Sequence, residues 1–159
     1  MTDLPVLVSP GSVRPSLSRI AIRVYYEDTD TAGIVYYANY LCFLERGRTE
    51  FLRTLGFQQQ QLMDENISFA VTSVTANYLK PARLDDLLEV RTAIGDVRRV
   101  QLVFEQEIWC GDTCLLDAKI GVACIDPRNG KPIAMRRDIH QQFKHWSTTQ
   151  ANANPEQKQ

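Results

Sequence analysis

One long helical stripe in a chain that otherwise alternates is the feature that most limits the fold. From residue 38 to 55, Tyr40, Leu41, Leu44, Phe51, Leu52 and Leu55 gather on one side of a helix at about 100° per residue. Gly47 lies at the edge of that stripe, and Gly56 is placed to end it. Elsewhere the period is two. Ile20, Ile22, Val24 and Tyr26 share one face of a first strand, and residues 66 to 80 form a longer extended run that stops at Lys80-Pro81. Leu88, Val90 and Ile94 alternate with polar neighbours, as do Val100, Leu102, Phe104 and Ile108, and Leu116, Ala118, Ile120, Val122 and Cys124. Gly95-Asp96, Gly111-Asp112 and Asn129-Gly130 read as turns. The order is therefore strand, long helix, then four strands in a meander. This is an α+β domain with the helix laid on the apolar face of an antiparallel sheet, because neither element buries its apolar side alone.

Two charges disturb the helical stripe. Arg48 projects within it and Glu45 lies beside it one turn away, so the expectation is a structural ion pair between them. Tyr36, Tyr37, Tyr40 and Phe43 either fill the core or line a pocket for an aromatic group.

At 159 residues the chain fits one domain, which buries roughly 70% of the surface it would expose unfolded. Residues 19 to 146 carry the pattern; residues 1–18 and 147–159 read as flexible tails. With 18 Lys+Arg against 19 Asp+Glu, no global field draws nucleic acid or an anionic membrane. No apolar run approaches the roughly 20 residues of a membrane span, and the N-terminus lacks the pattern of a signal peptide, so a cytoplasmic location is expected. Cys42, Cys110, Cys114 and Cys124 then read as free thiols, although Cys110 and Cys114 flank a turn they could bridge. His140 and His145 read as surface residues of a short terminal helix. No metal-ligand spacing is present, and no cofactor is expected.

The stretch EDTDTAGIVYYANY, residues 27–40, has three readings. Glu27, Asp28 and Asp30 suit a solvated turn that caps the helix. Asp28 and Asp30 could hold a divalent metal, which wants several more oxygens than the sequence signposts. The third reading is catalytic. If the loop folds back on the helix start, the Asp30 carboxylate faces unpaired backbone N–H groups, with Ile34 and Val35 as apolar walls. Such a site suits acyl transfer: the donors hold the developing oxyanion while the carboxylate attacks or activates water.

The run YYEDTDTAGIVYYANYLCFLERGRTEFLR, residues 25–53, with ARLDDLLEV, residues 82–90, resembles the hotdog-fold acyl-CoA thioesterases of the 4-hydroxybenzoyl-CoA thioesterase family. The likeness is to the branch associated with the Tol-Pal cell-envelope system and spans roughly residues 19 to 145. The resemblance implies a five-stranded antiparallel sheet wrapped around one long central helix, and subunits joined as dimers or tetramers with active sites between them. It implies that Asp30 is the catalytic carboxylate and that the Tyr37 N–H polarises the thioester carbonyl. Gly33 would allow the turn, and Ile34 and Val35 would wall the acyl group. Many members of that branch carry a histidine where this chain has Tyr37. Coenzyme A would need local cations, for which Lys80, Arg83, Arg128 and Lys131 are candidates, with Arg136 and Arg137 behind them. The expected activity is hydrolysis of a small-to-medium acyl-CoA. The alternative is a non-catalytic module that binds acyl-CoA or an acyl carrier.

Overall fold

The computed structural model describes residues 18–152. Five long strands make one antiparallel sheet: β1 (Ser18–Arg23), β2 (Ser68–Tyr78), β3 (Leu87–Val97), β4 (Gln101–Cys110) and β5 (Thr113–Asp126). A two-residue β6 (Lys131–Pro132) pairs with β5. The helices are α1 (Asn39–Thr54), α2 (Gln59–Asp64) and α3 (Arg137–Asn152). The expected flexible segment 1–18 lies outside the described residues except for Ser18, while α3 runs through the 146/147 boundary to Asn152.

The spatial order is β1-β3-β4-β5-β2, which corrects the meander. Only β3, β4 and β5 follow one another through short turns. β2 pairs with β5 at the far edge, so residues 79–86 carry the chain from one edge of the sheet to the strand beside the other. Loop length is the physical reason: the eight residues 79–86 are too many for a tight hairpin and leave β2 free to take the outer place. On the way they pass the start of α1, where the Ala82 N–H meets the Tyr40 hydroxyl.

The inner face of the sheet carries the alternating residues. Leu88, Val90, Ile94, Leu102, Phe104, Ile108, Leu116, Ile120, Val122 and Cys124 are all buried. On α1, Tyr40, Phe43, Leu44, Phe51 and Leu52 are buried, and the helix lies against β1, β3 and β4. Leu41, expected in the stripe, sits at the helix margin and is partly exposed, whereas Phe43 is wholly buried. Gly47 lets helix and sheet meet: a Cβ there would stand 2.7 Å from Thr92 Oγ1 and 2.8 Å from Val90 Cγ1. Tyr26, placed by alternation on the inner face of β1, is instead exposed in a 3-10 turn, Tyr26–Asp28, because the strand stops at Arg23.

The expected Glu45–Arg48 pair does not form. Arg48 donates to Gln106 Oε1 at 2.9 Å, and Gln106, itself buried, donates to Leu44 O and Thr92 Oγ1. Glu45 accepts instead from Thr49 Oγ1 at 2.6 Å. Arg48 prefers the sheet because a neutral amide fixed by two further bonds offers it a preorganised acceptor. α3 seals the other end of the core. Phe143 stacks on Phe51 and meets Phe69 and Phe104 edge-on, and Ile139 is fully buried beside them. The terminal helix is thus a full 16 residues rather than the short one expected.

Candidate active site at the start of the long helix

After Val24 the chain leaves the core and turns back on itself. Tyr36 N–H donates to Asp28 O and Asp30 N–H donates to Ile34 O, both at 2.9 Å, so residues 28–36 form a small hairpin. Gly33 N–H closes its apex on Asp30 O, and Gly33 has φ +74°, a left-handed conformation that a side chain disfavours. The hairpin is pinned to the second loop: Val35 N–H donates to Ala82 O at 2.9 Å, and Ile34 bridges to Arg83.

Asp30 is exposed at the apex, with Oδ1 accepting the Ala32 N–H at 2.8 Å. It has no cationic partner among the described residues. Tyr37 is 63% exposed, and its carbonyl accepts the Tyr78 hydroxyl at 3.0 Å. Neither the Tyr37 nor the Ala38 N–H donates to a partner among the described residues. α1 begins immediately after, with Ala38 as an N-cap that provides no side-chain bond and with no acidic residue in the first turn. The start of α1 therefore keeps open donors at Tyr37 and Ala38.

Of the predicted apolar walls, Ile34 is half-buried at the hairpin surface, while Val35 is buried and packs into the main core. Tyr40 and Phe43 are core residues; Tyr36 and Tyr37 stay at the surface, their rings 4.9 Å apart. Lys80 and Arg83 lie in the loop that passes this end, Lys80 N–H donating to Leu115 O. Arg128 and Lys131 do not join them. They flank the β5–β6 turn beyond Asp126, ten residues along β5 from Leu116, roughly 30 Å at about 3.3 Å per residue. Arg128 is engaged by Asp126, whose carboxyl it holds below the usual range through hydrogen bonding. Arg136 is paired with Glu65 and Asp138, and Arg137 opens α3; both lie away from the acidic hairpin.

Nothing in the sequence linked Asp28 to Asn39, yet together they join hairpin and helix. Asp28 is 8% exposed, and its carboxylate accepts Asn39 Nδ2 at 2.6 Å and Tyr25 N–H at 2.8 Å. In this arrangement the Asp28 oxygens accept N–H donors, and Asp30 Oδ1 accepts from its own turn. Tyr40 is a second unexpected tie: its hydroxyl accepts the Ala82 N–H at 3.0 Å, and burial raises its pKa.

A groove of about 470 Å³ opens between α1 and β2, walled by Leu41, Val71, Val74 and Ile120 and bordered by Arg48. Just before the helix, Tyr37 meets Tyr78, the last residue of β2. Burial pulls the Arg48 pKa down. Exposed carboxylate, open backbone donors and an adjoining apolar groove are the parts that acyl transfer from a thioester requires.

A family profile described as the thioesterase superfamily matches residues 32–115, over half of the chain, taking in Tyr37 and all of α1 and beginning two residues after Asp30. The acyl-CoA thioester hydrolase YbgC of Escherichia coli O6:H1 is 48% identical over 130 residues, which cover 81% of this chain and 97% of that protein. The acyl-CoA thioesterase YbgC of Haemophilus influenzae is 44% identical over 125 residues, 78% of this chain and 92% of that one. The crystal structure of a probable thioesterase from Bartonella henselae superposes with a TM-score of 0.73 at 37% identity, covering 75% of this chain and 98% of that chain. With its curled sheet, its central helix and these relatives, the chain has the hotdog fold and belongs to the thioesterase superfamily.

Proposed function

We propose that the protein hydrolyses acyl-CoA thioesters of small-to-medium acyl groups, with Asp30 as the carboxylate and the start of α1 as the oxyanion site. The observation that carries this reading is the pairing of a cation-free, exposed Asp30 with a helix start whose Tyr37 N–H is unspent. The thioester carbonyl oxygen accepts from Tyr37 N–H, and the helix dipole stabilises the oxyanion as it forms. Asp30 either attacks the carbonyl carbon, forming an anhydride and releasing the CoA thiolate, or removes a proton from the water that attacks. In the first route water then cleaves the anhydride, freeing the acid and restoring Asp30; in the second the oxygen of water enters the acid directly; in both the thiolate leaves, protonated, as the CoA thiol.

The acyl group extends along the α1–β2 groove, and Lys80 and Arg83 meet the CoA phosphates. Arg128 and Lys131, at the other end of β5, serve the same subunit's site less readily. A homo-oligomer, dimer or tetramer, completes the site: the β2 edge exposes Val71, Val74 and Tyr78 beside the groove, and a second copy covering them would shield Asp30 from water. The free thiols of Cys42, Cys110, Cys114 and Cys124 fit the cytoplasmic location included in this proposal, as does the lack, among the described residues, of any helix long and apolar enough to cross a membrane. A role beside the Tol-Pal system rests on the branch the sequence resembles.

The test is Asp30→Asn assayed with a thiol-detecting reagent across a panel of acyl-CoAs. Turnover is expected to fall by on the order of a thousandfold or more while the thermal midpoint and CoA affinity stay near wild type. A variant keeping most of the wild-type rate removes Asp30 from the chemistry. A wild-type protein that binds acyl-CoA without releasing thiol would instead favour the binding-module reading. Trapping an acylated Asp30 in a single turnover separates direct attack from base catalysis.

A further inference from the structure

Residue 28 grips both sides of Tyr37. Its carbonyl accepts the Tyr36 N–H at 2.9 Å, and its carboxylate accepts the Asn39 side chain at 2.6 Å. Tyr37 and Ala38 are the only residues between those anchors. On the other strand of the hairpin, Asp30 follows residue 28 by two positions and is held by its own N–H to Ile34 O at 2.9 Å. Two ties therefore set the spacing between the Asp30 carboxylate and the Tyr37 amide, one from Asp30 to Ile34 and one from Asp28 to both flanks of Tyr37. A carboxylate only 8% exposed and without a cationic partner is a costly group to keep, and here it has two N–H donors and the positive end of α1 to hold it.

We propose that Asp28, acting through Asn39, is a positioning residue that fixes the separation and orientation of Asp30 and the Tyr37 N–H, so that breaking the clasp lowers turnover rather than acyl-CoA affinity. This rests on the thioesterase reading of the site. A displacement of about 1 Å at a reacting centre can cost on the order of a hundredfold in rate, and an oxyanion donor works only while it points at the oxygen. Affinity, drawn largely from the groove and the CoA contacts, has no comparable dependence on that spacing.

The pair can be inverted. In Asp28→Asn with Asn39→Asp, the amide then at position 28 still offers an oxygen to the Tyr25 N–H and an N–H to the carboxylate then at position 39, so both bonds survive with donor and acceptor exchanged across the clasp. Asn39→Asp alone sets two carboxylates where the wild-type contact is 2.6 Å, and they repel unless they share a proton.

The experiment measures kcat and KM with butanoyl-CoA and octanoyl-CoA, together with amide exchange at Tyr36, for wild type, Asn39→Ala, Asn39→Asp and the inverted double variant. Asn39→Ala is expected to lose about 10- to 100-fold in kcat with KM within about twofold. Asn39→Asp should lose more, with a deficit that shrinks as pH falls. The double variant should return to within about fivefold of wild type, with Tyr36 exchange accelerated in the single variants and slowed again in the double. Should Asn39→Asp fail to fold, Asn39→Ala and the double variant carry the same comparison. Wild-type kcat in Asn39→Ala overturns the proposal, as does a double variant that restores slow Tyr36 exchange and the thermal midpoint but not kcat; either result makes the clasp merely structural and leaves the thioesterase reading standing. A wild-type chain inactive on both substrates overturns that reading and this proposal with it.

Discussion

At its C-terminal end α1 closes in a glycine turn, while just before its N-terminal end the Tyr37 and Ala38 N–H groups stay unspent. Leu55 ends the helix, Gly56 turns left-handed at φ +86°, and Phe57 N–H returns to Leu52 O as Gly56 N–H returns to Arg53 O, a Schellman closure. Phe51 in that last stretch is buried under Phe143 of α3. At the other end Ala38 offers no side-chain cap, the first turn holds no acid, and the rings of Tyr36 and Tyr37 are exposed. An end that the sequence satisfies contributes stability; an end that it leaves open, at some cost in stability, is available to a ligand. Mutations at the two ends should therefore separate, one set acting on unfolding and the other on turnover.

The largest effect expected of such a separation lies at the sealed end. Phe143→Ala removes a fully buried ring that contacts Phe51, Phe69 and Phe104, and should cost about 3–5 kcal/mol in urea unfolding. Turnover per folded molecule should be unchanged. A fall in kcat at temperatures where the variant remains folded would show that the two ends communicate.

The open end has its own stability tie, and it answers to pH. Tyr40→Phe leaves the buried Ala82 N–H without its acceptor, an expected loss of about 1–3 kcal/mol at neutral pH. Burial holds the Tyr40 phenol above its usual pKa near 10, so the folded state resists its ionisation. That contribution is fully present below about pH 10 and is lost as pH rises through the folded-state value. Burial also raises Tyr78 and the thiols of Cys110, Cys114 and Cys124, so wild type should weaken from about pH 9 upward. The difference between the two proteins isolates Tyr40. Urea midpoints taken between pH 8 and about 11 should converge as wild type loses its advantage; parallel curves would mean that Tyr40 does not titrate against the fold.

How much of this could be read in advance follows the same division. Helix α1, expected over residues 38–55, spans Asn39–Thr54, because a 3.6-residue apolar period and a terminal glycine are local signals. The inner face of β5 was legible residue by residue for the same reason. The partner of β2 was not, since an edge position depends on where an eight-residue loop delivers the chain and leaves no mark in the strand itself. At the site, the hairpin's turn at Gly33 was visible as Ala32-Gly33. The Asp28–Asn39 clasp was hidden: an Asp in an acidic turn and an Asn at a helix start each have an ordinary local use, and only the fold of the loop shows that they use each other. That Arg128 and Lys131 lie at the other end of β5 from Lys80 and Arg83 was equally hidden, because cations in turns look alike until the sheet assigns them an end.

The smallest predicted effect returns to the sealed end and uses a control built into the chain. α2 ends with the same closure as α1: Asn66 N–H returns to Met63 O and Ile67 N–H to Leu62 O, but the left-handed position is held by Asn66, at φ 59°, in place of a glycine. Asparagine tolerates this conformation because its short polar side chain bonds locally, whereas alanine meets its own carbonyl without compensation. Gly56 has open space around the position of an added Cβ, so a substitution there tests conformation alone. Gly56→Ala should therefore cost about 1 kcal/mol and Gly56→Asn measurably less, both with wild-type kcat. Equal losses for the two would mean that the cost comes from the chain beyond the helix and not from the left-handed turn, and a change in kcat for either would join the two ends that the rest of the molecule keeps apart.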